Sequence, residues 1–255
     1  MKKIEYLALC TWLLLSLGSC EENHIDKYSE PPAMYFLAQS SGGSWTATYN
    51  TPVVLSTNFG TIYDTWNRAE YALELRLQLQ GLIQERPLTI RLKAETIDEY
   101  PIGQIEFETY VLPAGEYTLP VPIVIKRPAL MNTLHKVKIS IDYQNSDVSP
   151  GLHLLQSVTV DINDLLTLEM VGLSRALWDA MAVAAFGPYS ETKLRFLAYA
   201  FYQASPALVN SYFQYIAIGF GSLIKATVEN ALNTYNAEHP NNPILDDDGT
   251  PLIFP

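Results

Sequence analysis

The stretch Leu73-Glu74-Leu75-Arg76-Leu77-Gln78-Leu79-Gln80 sets four leucines against four polar residues with a period of two. Successive side chains of a strand point to opposite faces, so this segment lays an apolar ridge on one side of a sheet and a solvated ridge on the other. Just past Gln84-Glu85-Arg86-Pro87, the run Leu88-Thr89-Ile90-Arg91-Leu92-Lys93 repeats the alternation. Further strands are expected over 104–107, 117–125, 136–143 and 156–162. Pro120 and Pro122 have no N–H to give to a ladder, which places the 117–125 strand at a sheet edge. Pro113-Ala114-Gly115 and Ser149-Pro150-Gly151 punctuate the turns. Short strands at roughly 10- to 15-residue intervals, with no helical pattern between them, predict an antiparallel Ig-like β-sandwich over residues 33–165. The Cys–Trp–Cys arrangement of an antibody-type domain is missing.

After Leu165 the periodicity changes. Residues 191–203, 206–218 and 222–239 carry apolar and aromatic side chains at spacings of three and four, the signature of amphipathic helices. Ser190, Ser205 and Ser222 stand where helix N-caps are expected, Pro206 stands at a first helical position, and His239-Pro240 stops the last helix. Tyr199, Phe201, Tyr202, Tyr212, Phe213 and Tyr215 fall at core-like spacings. In the tail, Asp246-Asp247-Asp248-Gly249 reads as a solvated turn between two short extended pieces. The fold class is therefore mainly β plus α, with the sandwich followed by a small helical C-terminal domain over residues 166–255.

The amino terminus carries a different signal. Lys2 and Lys3 precede an almost wholly apolar run from Tyr6 to Leu17, and Leu17-Gly18-Ser19-Cys20 follows. That run is too short for a bilayer span, which takes roughly 20 residues, and it reads as a signal peptide over 1–19 ending in a lipobox. Cleavage would make Cys20 the first mature residue and the site of lipid attachment, with a tether over 20–32. A multiply acylated cysteine anchors stably, because each buried methylene contributes about 0.8 kcal/mol. The acidic pair Glu21-Glu22 resembles the export signal that sends lipoproteins of the Bacteroidota to the outer face of the outer membrane.

Composition narrows the function. The 255 residues are 48% hydrophobic, and 16 Lys plus Arg against 27 Asp plus Glu give a net charge of -11. Loss of Lys2, Lys3 and Glu5 would leave -12 on the mature chain. No basic surface is available to neutralise a phosphate backbone, so nucleic acid is not an expected partner. The 2 cysteines make no disulfide scaffold. His24, His135, His153 and His239 have no partner at i+3 or i+4 and read as solvated, so no metal site and no cofactor is expected. Asp246-Asp247-Asp248 lacks the alternating ligands and the later glutamate of a calcium loop.

There is no Gly-rich phosphate loop, HExxH, GxSxG or CxxC, and no catalytic residue is assigned. Paired carboxylates for glycoside hydrolysis leave no sequence signature, so a hydrolase stays as a lesser alternative. Aromatic residues offer another chemistry, because sugar rings stack on Trp and Tyr faces. Trp45, Tyr49, Tyr63 and Trp66 precede the alternating strands in a segment where loops are expected. Exposed, they would form a ligand platform; large aromatics more often fill a core.

Several local motifs add a resemblance. Phe186-Gly187-Pro188-Tyr189-Ser190-Glu191-Thr192-Lys193-Leu194-Arg195-Phe196, the hairpin Leu112-Pro113-Ala114-Gly115 with Pro120-Val121-Pro122-Ile123, Trp178, and the ending Asp248-Gly249-Thr250-Pro251-Leu252-Ile253-Phe254-Pro255 together resemble a Bacteroidota lipoprotein family, domain-of-unknown-function family 4843. The departure lies in 168–185, where the family pattern has a more polar, proline-bearing linker. The resemblance implies a context rather than a reaction: an accessory lipoprotein of a SusC/SusD-like outer-membrane uptake system, non-enzymatic, with a glycan or peptide as cargo. A stand-alone glycan- or peptide-binding lipoprotein is the alternative. From the residues themselves, Gly187-Pro188-Tyr189-Ser190 reads as a structural corner that caps a helix.

Overall fold

The alternation at 73–80 becomes the central strand of a sheet in the computed structural model, which describes residues 31–39, 43–47, 52–98 and 100–255. Strand β4 (Glu70–Gln80) pairs antiparallel with β1 (Ala33–Gln39) on one side and with β9 (Thr118–Lys126) on the other. Leu75, Leu77 and Leu79 are buried while their polar neighbours look outward. The sheet is extended by β2 (Trp45–Thr46), β7 (Ile105–Glu106) and β11 (Ser149–Pro150). A second sheet has the order β3 (Val53–Asn58), β12 (Ser157–Asn163), β10 (His135–Ile141) and β6 (Leu92–Glu95). A ribbon of β5 (Leu88–Ile90) and β8 (Tyr110–Leu112) completes the strand-rich half.

The inward positions of both sheets join one apolar core that includes Leu77, Ile123, Val137, Ile139, Val158 and Val160. Each such side chain, taken fully out of water, contributes on the order of 1.5–3 kcal/mol. The expected all-antiparallel pairing is corrected in two places. Strand β12 pairs parallel with β3, and β11 pairs parallel with β1. Parallel partners need a long crossover rather than a hairpin, and periodicity within a strand carries no trace of it.

The expected strand 88–93 is two strands. Its polypeptide leaves the ribbon at Arg91 and enters the second sheet, a corner held by Arg91 N–H to Ser146 Oγ at 2.9 Å and Thr89 N–H to Asp147 Oδ2 at 2.8 Å. The expected edge position of β9 is corrected, since β7 lies beyond it in the sheet, though at one end only. β7 reaches only Val124 and Ile125, so the Pro120–Pro122 part of β9 lies on an open edge. There the Tyr110 hydroxyl donates to the Pro122 carbonyl at 2.6 Å, satisfying an acceptor that no ladder covers.

The helical region follows as α1 (Glu191–Ala204), α2 (Val209–Ala217) and α3 (Gly221–Glu238). Ser190 caps α1, its side chain accepting from Lys193 N–H at 3.1 Å. Ser205 makes no such bond, and α3 begins ahead of Ser222 with Phe220 at its N-cap. Residues 175–186 form a further helical run broken by a π-turn at Trp178–Ala182. Trp178 is fully buried there and donates its ring N–H to the Gly187 carbonyl at 3.1 Å. Of the six aromatics read as core, Phe201 and Phe213 are buried and Tyr215 is exposed. A second apolar cluster, from Leu166 to Phe254, gathers these helices, and both clusters belong to one compact unit over 32–255.

Candidate functional site

Asp164, one residue past β12, is 1% exposed and lies between two guanidinium groups. Arg127 Nε donates to its Oδ2 at 2.7 Å, and Arg195 Nη1 to its Oδ1 at 2.6 Å. Arg195, on the second turn of α1, also reaches the Asp164 carbonyl at 3.1 Å and Glu191 Oε1 at 3.0 Å. Arg127 continues to Asn67 Oδ1 at 2.6 Å. A carboxylate this deep is tolerable only when paired, and here the pairing joins a strand end, a strand-connecting loop and a helix. Beside it, the Asn58 side chain accepts from Leu165 N–H at 2.9 Å and donates to the Leu165 carbonyl at 2.8 Å.

Over this network opens a cleft of about 530 Å³. Trp66 and Asn67 line one side, the first turns of α1 with Glu191, Thr192 and Arg195 another, and Met131, Tyr235 of α3 and the tail residues Asn242–Leu245 and Asp247 the rest. Trp66 is held edge-on by Phe196 and Tyr199, with ring centroids 5.5 and 6.0 Å away. Tyr235 is set by Tyr199 at 6.4 Å and stacks on His239 at 4.1 Å. Asn67 adopts a left-handed backbone with φ 54°, a conformation asparagine accepts more readily than most residues.

The turn in the tail is part of the site. Asp247 takes both N-terminal amides of α1, Glu191 N–H at 2.7 Å and Thr192 N–H at 3.0 Å. Burial pushes its carboxyl up, but the bonds from Thr192 and Glu191 together with the Lys193 charge outweigh that and hold it below its ordinary value. Asp246 pairs with the buried Lys193 at 3.3 Å, and Lys193 also donates to the Pro188 carbonyl at 3.0 Å. The flanking extended pieces meet at the Leu245–Pro251 bridge. The expected turn between two extended pieces is present, closed by Gly249 N–H to the Asp246 carbonyl at 2.9 Å, with Asp247, Asp248 and Gly249 exposed; what the sequence did not show is that a helix N-terminus and a buried ammonium recruit two of the three carboxylates.

The four aromatics proposed as one platform separate. Trp45 packs on the strand-half core under the Arg76 guanidinium, 5.3 Å from its ring centre. Tyr63 and Trp66 pack on the helical core, and burial raises the Tyr63 hydroxyl against the opposing Arg195 charge. Trp66 alone of the three lines the 530 Å³ cleft. Tyr49, Cys20, Glu21 and Glu22 lie outside the described residues. His135, read as solvated, is buried at the start of β10, whereas His239 remains exposed at the end of α3.

No family model matches the chain, and no curated protein matches it. Among solved structures it is similar to the apo form of the Calx CBD1 domain at 14% identity, over 54% of this chain and 100% of that one, with a TM-score of 0.34. It is also similar to EndoBT-3987 of Bacteroides thetaiotamicron, solved with a Man5GlcNAc product, at 11% identity over 44% of this chain and 28% of that one, with a TM-score of 0.32. The periplasmic chaperone SfaE is a third, at 13% identity over 49% and 61%, with a TM-score of 0.23.

Little in the sequence marks Tyr235, Asn67, Asn242 or Asp247 as neighbours of Trp66. The one local signal is the Glu191–Arg195 spacing of four, which on a helix puts the two charges together. The rest of the cleft converges from separate stretches of the chain, at 66–67, 131, 191–195 and 235–247.

Proposed function

We propose that the chain is a lipid-anchored, non-enzymatic binding protein of the outer membrane, acting as an accessory component of a SusC/SusD-like nutrient uptake system. In this reading Cys20 carries the lipid, Glu21 and Glu22 direct the protein to the cell exterior, and the strand-rich half is an Ig-like sandwich that supports the cleft. The cargo is a glycan or peptide held beside Trp66. Membership of the Bacteroidota family 4843 fits the same assignment.

The observation that carries it is the cleft itself: aromatic walls over charges that already satisfy one another. Binding is favoured over hydrolysis by the state of the carboxylates. A glycosidase general acid needs a raised pKa and a free oxygen facing the scissile bond. Asp247 is shifted downward and accepts a backbone N–H on each oxygen, while Glu191 is tied to Arg195. A stand-alone binding lipoprotein is the second reading.

The test is gentle detergent extraction of the tagged protein from its native outer membrane, with copurifying proteins identified by mass spectrometry. A TonB-dependent transporter and its lid lipoprotein in stoichiometric amounts are expected. Recovery without them assigns the stand-alone role. A Cys20→Ala variant that remains in the membrane fraction overturns the anchor.

A further inference from the structure

We infer that the cleft selects an uncharged saccharide and rejects acidic ones; this rests on the binding function proposed above. Three charged groups line the cleft, and each is compensated within the protein. Glu191 is paired with Arg195 at 3.0 Å, and Arg195 with the buried Asp164 at 2.6 Å. Asp247 is held by the two amides at the start of α1. Arg127, which could otherwise attract an anion, is spent on Asp164 and Asn67. A charged ligand would surrender its hydration without meeting an unpaired counter-charge. An acidic one would in addition face two carboxylates, the repulsive element by which a site excludes a competitor.

What remains uncommitted is neutral. Asn67 gives its oxygen to Arg127, which leaves the amide N–H groups for the cleft, and the Asn242 side chain is exposed at the opposite rim. Amides donate and accept side by side, matching sugar hydroxyls, which do the same. Trp66, half-buried at the cleft wall, supplies an aromatic surface for the C–H side of a pyranose ring, and Tyr235, one face of which is covered by His239, adds to that wall. An extended peptide is less well served. The lining residues lie on loops, helices and the tail, so the cleft offers no free strand edge to which a peptide could add its ladder.

The experiment is an immobilised panel of oligosaccharides in three classes, uncharged hexose oligomers, uronate oligomers and glucosamine oligomers, probed with the mature protein and with Trp66→Ala and Asn242→Ala. Asn242 is exposed, so its variant reports on the cleft even where loss of the Trp66 ring disturbs the helical core; melting curves identify that disturbance. Signals among the uncharged oligomers, weakened at least tenfold by either folded variant, are expected. Uronate or glucosamine signals lost in the same variants overturn the inference and leave the binding function standing. No oligosaccharide signal that depends on Trp66 or Asn242 overturns the inference and leaves a peptide as the cargo of the binding function.

Discussion

Arg195 on the second turn of α1 and Asp164 just past β12 meet at 2.6 Å with the carboxylate 1% exposed, so the first helix is pinned to the end of a strand of the second sheet by a largely buried ion pair. Arg127 holds the other oxygen at 2.7 Å. Asp164→Ala should therefore leave two guanidinium groups close together without their shared counter-charge. Removing one member of a buried ionic group costs about 3–5 kcal/mol. Urea unfolding of the mature protein should register that loss, and a change below about 1 kcal/mol would mean that the network is solvated in practice.

Gly60 owes its identity to space rather than to backbone conformation. A Cβ there would lie 2.3 Å from the Leu165 carbonyl oxygen and 2.4 Å from its carbon, both backbone atoms that Asn58 holds in place. Gly60→Ala should force the 165 segment away and destabilise by about 1–3 kcal/mol, the usual range for overpacking. Because the Leu165 segment also leads from Asp164 into the helical region, ligand affinity of the cleft should fall along with the melting temperature. A variant as stable as the parent would show that the two segments separate easily.

Much of the strand-rich half was legible because its cause is local. Leu75, Leu77 and Leu79 alternate with polar residues, and that pattern alone decides which face is buried. Ser190 was legible for the same reason: a capping oxygen and the amide it accepts from are three residues apart. The parallel pairing of Val53–Asn58 with β12 was not, since its partners are a hundred residues apart and neither strand encodes the other. Nor was the helical run containing Trp178, whose π-turn breaks the regular spacing. The cleft lay furthest from the sequence. Trp66 was singled out as an aromatic with a binding face, but the polar groups that surround it, Asn67, Asn242 and Asp247, acquire their roles only through tertiary partners.

Tyr143 offers a spectroscopic handle on the second sheet. Burial pushes its hydroxyl up to about 12, and among the described residues that oxygen has no hydrogen-bond partner. A buried hydroxyl without a partner contributes nothing to offset its desolvation, so Tyr143→Phe should leave stability unchanged or raise it by up to about 1 kcal/mol. Absorbance titration of phenolate formation should lose one residue's worth of signal from the high-pH end. A loss of stability greater than about 1 kcal/mol would reveal a partner for the hydroxyl.

Asp247 links the tail to α1, and the link should be pH-dependent. Its ordinary value is 3.8, and in the folded chain the amides of Thr192 and Glu191 and the nearby Lys193 outweigh burial and hold it lower. A carboxyl with a depressed folded pKa contributes stability that is fully present above its unfolded value and is lost as the pH falls through the folded one. The tail should thus stay docked at neutral pH and loosen only below about pH 4. Asp247→Asn removes the charge but keeps one acceptor oxygen, so at pH 7 it should cost about 1 kcal/mol, the typical worth of a helix cap. In the same variant the acid-induced exposure of the tail, followed by hydrogen exchange at Ile244 and Leu252, should lose its steepest step below pH 4. If parent and variant show the same acid profile, the carboxylate is not what holds the tail against the helix.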